Sequence, residues 1–190
     1  MGKKLRIAAL VGCGLVLVVA VGFFALYKGL KHEPQFYREA LAVDPAAQKQ
    51  TSDEMLRRAT ALRNDVQRGG PWHALFTAEQ INGWLAVDLA ENYPDALPET
   101  LSDPRVAIRP DRIMLACRLR QAYGSSVVSL TVEPYLPEPN LLALRIRQAR
   151  AGALPAPLGK ILDGISQAAA QAQLRVHWQQ ADGDPVVFLP

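Results

Sequence analysis

RVAIRPDRIMLACRLR, residues 105–120, is where the period of this sequence changes. Before it, apolar side chains return every three or four residues. From Arg105 they return every second one, the spacing at which one face of a strand is set apart from the other. Arg105-Val106-Ala107-Ile108-Arg109 alternates polar and apolar, and Pro110-Asp111 supplies a tight turn. Ile113, Leu115, Cys117 and Leu119 then alternate with Arg112, Met114, Arg118 and Arg120. A β-hairpin follows from this pattern.

Downstream the alternation continues. Tyr123-Gly124-Ser125 reads as a turn, and Val128, Leu130 and Val132 share one face of a third strand. Pro134 to Pro139 reads as a bend, after which Leu142, Leu144 and Ile146 share a face opposite Arg145 and Arg147. The four strands make an antiparallel meander. Gly152-Ala153-Leu154-Pro155-Ala156-Pro157 breaks the sheet and opens a helix with Leu158, Ile161, Leu162, Ile165, Ala169 and Ala172 on one side, which must lie on the sheet. Leu174, Val176 and Trp178 predict another strand, Asp182-Gly183 a hairpin turn, and Pro185 to Leu189 a last strand that its proline restricts to an edge or a strand end.

Upstream the pattern is helical. In FTAEQINGWL, residues 76–85, Thr77 and Gln80 stand at the positions of a reciprocal capping box, and Phe76 and Ile81 at those of a hydrophobic staple. Ile81, Trp84, Leu85 and Leu89 form the inward face of a helix expected to stop before Pro94, with Glu79, Asp88 and Glu91 toward water. Residues 34–68 also read as helix, interrupted at Asp44-Pro45, where Asp caps and Pro suits the first turn. Met55, Ala59, Leu62 and Val66 give it one narrow apolar stripe, and Gly69-Gly70-Pro71 ends it.

Residues 7–27, IAALVGCGLVLVVAVGFFALY, carry no charge and are long enough to cross a hydrocarbon core of roughly 30 Å at about 1.5 Å per residue. Lys3, Lys4 and Arg6 precede them and predict a cytoplasmic N-terminus with everything downstream exported. Ala20-Val21-Gly22 has the small-x-small form of a cleavage site, but apolar residues continue past it to Tyr27, so an uncleaved anchor is expected. The organisation predicted is a basic cytoplasmic tip over 1–6, a transmembrane anchor over 7–27, an amphipathic helical stalk over 28–70 and an extracytoplasmic domain over 71–190. The fold class is α+β, with an N-terminal transmembrane helix followed by helices packed on a curved antiparallel β-meander.

The net charge of +3 comes entirely from the N-terminal tip. Beyond residue 27 there are 18 Lys and Arg against 18 Asp and Glu, so the exported part lacks the basic field that nucleic acids require. Cys13, in the anchor, and Cys117, in a strand, cannot pair with each other, and Cys117 reads as a small buried hydrophobe. His32, His73 and His177 share no ligand spacing, and no nucleophile elbow, phosphate loop, dinucleotide fingerprint or Cys-x-x-Cys occurs. Neither catalysis nor a metal or cofactor is expected.

The order of parts, an N-terminal anchor, FTAEQINGWL on a helix, the VAIRPDRIMLACRL hairpin, a meander, then GALPAPLGKIL opening a helix before a closing hairpin, resembles the YpmS-like family of membrane-anchored bacterial proteins. More distantly it resembles the tubular lipid-binding (TULIP-like) superfamily, over roughly residues 76–190. The resemblance implies a strongly curved sheet wrapped around a helix, an elongated apolar groove for acyl chains and a place in the cell envelope. Candidate lipid contacts are Ile81, Trp84 and Leu85 on the first helix, then Val128, Leu130, Val132, Leu142, Leu144 and Ile146 on the strands. Ile161, Leu162 and Ile165 on the second helix and Trp178 on the closing hairpin complete them. These faces either enclose a slot or simply pack as a core. Arg118, Arg120, Arg145 and Arg147 are candidates for an anionic headgroup, against the plainer role of a solvated outer face. Expected partners are the bilayer, a lipid or other hydrophobic ligand, or, if the domain is a scaffold, another envelope protein.

Overall fold

A computed structural model describes residues 20–69, 71–122, 124–138, 141–171, 177–181 and 183–189. Six helices, one short 3-10 turn and seven strands occur among them. Helix α1 ends at residue 30, α2 is Gln35–Leu41, α3 Pro45–Arg68, α4 Ala78–Ala86 and α5 Asp88–Asn92, with a 3-10 turn at Pro94–Ala96. The strands β1 Leu101–Arg109, β2 Arg112–Gln121, β3 Gly124–Glu138, β4 Leu141–Ala151 and β5 Leu154–Pro155 follow, then α6 Leu158–Gln171 and the hairpin β6 His177–Ala181 and β7 Asp184–Leu189.

The molecule is α+β, and its strands form one open antiparallel sheet in the order β1-β2-β3-β4-β7-β6, with β5 paired to β4. The meander and the Pro110-Asp111 turn are where the alternation puts them, with Arg109 opposite Arg112. Two strands run further than the sequence predicts. β1 begins at Leu101 instead of Arg105, through a register shift between Ser102 and Arg105 that holds Asp103 at φ 53°. β3 passes straight through Pro134, because β2 ends opposite Val132 and the missing N–H of Pro134 therefore faces no partner on that side. The final hairpin docks through β7, so β6 and not the last strand is the edge, and Pro185 sits at a strand end.

A register shift in β4 leaves Arg147 as the extra residue between Ile146, opposite Val132, and Gln148, opposite Thr131. That bulge places Ile146 and Ala149 on one face although they are three apart. With Leu130 and Val132 they form the main core, covered by Leu158, Ile161, Leu162 and Ile165 of α6 and by Trp178. The indole N–H of Trp178 donates to the Ser166 hydroxyl at 2.7 Å, which satisfies the one polar atom that this tryptophan brings into the contact.

The opposite face, expected to be solvated because of its arginines, is covered in part, while Arg120 and Arg147 remain exposed. Tyr37 of α2, fully buried, packs there against Ala116 and Val127, flanked by Phe36 and Leu41. Nothing in the spacing of residues 34–41 marks that partner.

Asp44 caps α3 and Pro45 opens it, as read from the sequence. Met55, Ala59 and Leu62 of its stripe are half-buried, whereas Val66 is 49 % exposed. The segment predicted as a stalk is fastened to the body at several places, among them Gly29, Glu33, Tyr37 and the crossing of α3 and α4. There Gly83 lets the backbones touch: a Cβ would lie 2.7 Å from the Ser52 amide nitrogen and from the Gln48 carbonyl. Asp88, expected in water, accepts from the Ser52 hydroxyl and from Asn92.

Among the described residues no helix is long and apolar enough to cross a membrane. Residues 7–19 of the apolar stretch lie outside them. Helix α1 carries Phe23, Phe24 and Tyr27 at 58–70 % exposure and ends against the sheet, where Ala153 N–H donates to the Gly29 carbonyl at 2.8 Å. Gly152, at φ 61°, makes that junction possible, since a Cβ would lie 2.6 Å from the Leu30 carbonyl.

Candidate functional site

The capping box of α4 is formed as the sequence predicts: Thr77 accepts from the Gln80 amide, and Gln80 reaches back to the Thr77 amide. It starts the helix so that Asn82 reaches the edge strand. The Asn82 amide donates to the Val106 carbonyl at 2.8 Å, and its oxygen accepts from the Val106 N–H at 2.7 Å. One side chain thus satisfies both backbone groups of Val106 on the edge of β1, as a neighbouring strand would.

The helix then stops at Ala86, earlier than the expected end before Pro94, and restarts as α5 after Val87. Between this broken segment and residues 101–105 of β1 lies a cleft of about 350 Å³. Leu85, Leu89, Tyr93, Leu97 and Leu101 supply apolar wall, while Asp95, Glu99 and Asp103 bring carboxylates. Trp84 stands behind Tyr93, with ring centroids 6.1 Å apart.

Arg105 also lines the cleft. It is 7 % exposed, a buried cation at a position that reads as the polar phase of an alternating strand. One terminal nitrogen donates to the Pro104 carbonyl at 2.7 Å, but Nε has no hydrogen-bond partner among the described residues. Burial pulls the guanidinium below its usual range, opposed by the nearby Asp103. Asp103 does not pair with it: the Asp103 carboxylate accepts from the Ser102 hydroxyl and faces Arg118 at 3.7 Å, and its carbonyl accepts from Tyr37 at 2.9 Å. Burial first, and Asp103 second, push the Tyr37 hydroxyl up to about 12.

The residues predicted to hold lipid fall into separate groups. Leu130, Val132, Leu144, Ile146, Ile161, Leu162, Ile165 and Trp178 come together, and they do so in direct contact as core. Val128 is half-buried on the same face, and Leu142, at 36 % exposure, lies toward the far end of the sheet. Ile81, Trp84 and Leu85 belong to α4 beside β1, and of the whole set Leu85 is the member that lines the cleft.

The predicted headgroup arginines are dispersed. Arg118 pairs with Glu33 at 3.1 Å, and Arg147 with Glu133 at 2.6 Å and Asp184 at 2.8 Å. Arg145 lies over the Tyr135 ring at 5.4 Å, and Arg120 is exposed. Cys117 is half-buried, and burial raises its thiol above the ordinary range, which makes it less nucleophilic. Among the described residues no group of His, Cys, Asp and Glu is arranged to hold a metal.

Reading the sequence passed over the cleft because residues 93–104 look like a loop with prolines, and over Arg105 because it fits the polar phase of a strand. A usable signal was Asp103-Pro104 immediately before it, a pair that disturbs the register of any strand containing it. The chain matches no protein-family model, no curated protein and no solved structure.

Proposed function

We propose that this chain is a non-catalytic, membrane-tethered domain of the cell envelope that takes up a lipid or another hydrophobic ligand in the cleft between α4–α5 and β1. The observation that carries the reading is the cleft itself, about 350 Å³ and walled by aliphatic side chains and Tyr93. Ligand pockets run about 300–1,000 Å³, so this one suits a single short chain or part of one. Its position supports the same reading. Asp103, on the cleft, is linked through Arg118 to Glu33, close after the end of α1, so the cleft lies at the end of the sheet that α1 meets. The uncharged run over 7–27, the basic residues before it and the bare apolar side chains of α1 support the tether. The likeness to YpmS-like proteins adds to it.

The test is the organic extract of the purified full chain, analysed by mass spectrometry beside the same chain carrying Ala90→Trp, which fills the cleft from its exposed rim. A lipid or fatty acid should accompany the native chain and be lost from the variant. A native chain that carries nothing and binds no hydrophobic probe would remove the reading.

A second reading, a scaffold that contacts another envelope protein, is favoured by the loop before α4, where Trp72 is 56 % and Leu75 73 % exposed. Photocrosslinking from Leu75 in cells should then trap one specific neighbour, and a blank would discard it.

A further inference from the structure

The chemistry of the cleft specifies more than an apolar chain. Arg105 is a buried cation on its wall with Nε unpartnered among the described residues and with Asp103 near it but not in an ion pair with it, and burying a charge without a direct ion pair is costly. The neighbouring carboxylate, Asp103, is committed to Ser102 and Arg118. An anionic ligand group beside the guanidinium would supply the charge it lacks, through charge-assisted bonds of the kind guanidinium makes with phosphate or carboxylate. A purely anionic head would, however, meet Asp95, Glu99 and Asp103, all exposed on the same cleft. A head that carries both signs meets neither difficulty.

From this we propose, resting on the cleft as the ligand site, that its ligand is a zwitterionic amphiphile: a phosphate-type anion against Arg105, an ammonium group toward Asp95 and Glu99, and the alkyl chain along Leu85 and Leu89.

The test uses the full chain in nanodiscs of an uncharged galactolipid, with four probes that share one chain: hexylphosphocholine, hexyl glucoside, hexanoate and hexyltrimethylammonium. Trp84, which contacts Tyr93, reports binding by fluorescence, with Trp84→Phe as the blank. Hexylphosphocholine should bind about tenfold more tightly than each of the other three, the scale of one charge-assisted hydrogen bond. Phosphocholine without a chain should bind far more weakly than hexylphosphocholine. Arg105→Met should bring hexylphosphocholine to within about twofold of hexyl glucoside. The head preference of the native chain decides the matter even if that variant does not fold. Equal affinity for all heads, tightest binding by hexanoate or by the ammonium probe, or equal binding of chainless phosphocholine would overturn the inference while leaving the cleft a ligand site. Failure of every probe to bind would overturn both.

Discussion

The two ends of the sheet are closed in different ways. Over β3, β4 and β6, α6 is one unbroken helix whose Leu158, Ile161, Leu162 and Ile165 mesh with Leu130, Val132, Ile146 and Ala149. Beside β1, the covering chain is broken into α4, the five-residue α5 and a three-residue 3-10 turn. It holds the strand by one amide, Asn82, and by backbone approach at Gly83. A continuous 3.6-residue stripe laid on a period-two face fills the space between them, because both surfaces are regular. Short pieces joined at Val87 and Tyr93 offer no continuous stripe, and a cleft is left. The place to look for a ligand is therefore where helical regularity fails and not where hydrophobicity is greatest.

The contrast can be broken most forcefully on the filled side. Ile146→Ala should destabilise the chain by about 3 kcal/mol, measured by urea unfolding in mild detergent, and leave hexyl glucoside binding within about twofold. A loss of binding equal to the loss of stability would mean that the two regions are one. At the helix crossing, Gly83→Ala should cost about 2 kcal/mol, because its methyl group meets backbone atoms of α3 that cannot step aside. Asn82→Ala should cost about 1–2 kcal/mol by leaving the Val106 N–H and carbonyl without a partner, and hydrogen exchange at Val106 should rise with it.

Titration gives a subtler probe of the face beneath Tyr37. Its hydroxyl titrates higher in the folded chain than in the unfolded one, so the stabilisation is present below pH 10 and is lost as the pH rises toward about 12. Tyr37→Phe should flatten that alkaline decline, and an unchanged decline would place its cause elsewhere. The smallest effect on stability belongs to Ala90→Trp, expected within about 0.5 kcal/mol because Ala90 is exposed, although it should abolish binding in the cleft.

Much of this architecture was legible beforehand. The Thr77–Gln80 box, the Asp44–Pro45 start, the Pro110-Asp111 turn and the meander each depend on neighbours a few residues apart, and each is formed. The candidate site was not. Arg118 and Arg147 look like free cations until Glu33 and Asp184 arrive from distant parts of the chain. Whether the lipid set encloses a slot or packs as a core was open, because an apolar face reads the same whether or not another face fills it.

Sequence alone determined the type and order of the elements, the caps and turns that open several of them, and that the basic charge excess belongs to the first residues. Only the tertiary structure decided what stands opposite each side: Tyr37 across 66 residues from Asp103, α6 seated on the meander, and Arg105 buried at a cleft instead of pointing to water. The physical reason is range. Turns, caps and alternation are set by backbone bonds and side chains within a few residues. Burial and the partner of a charge are set by surfaces that meet only when the chain has folded.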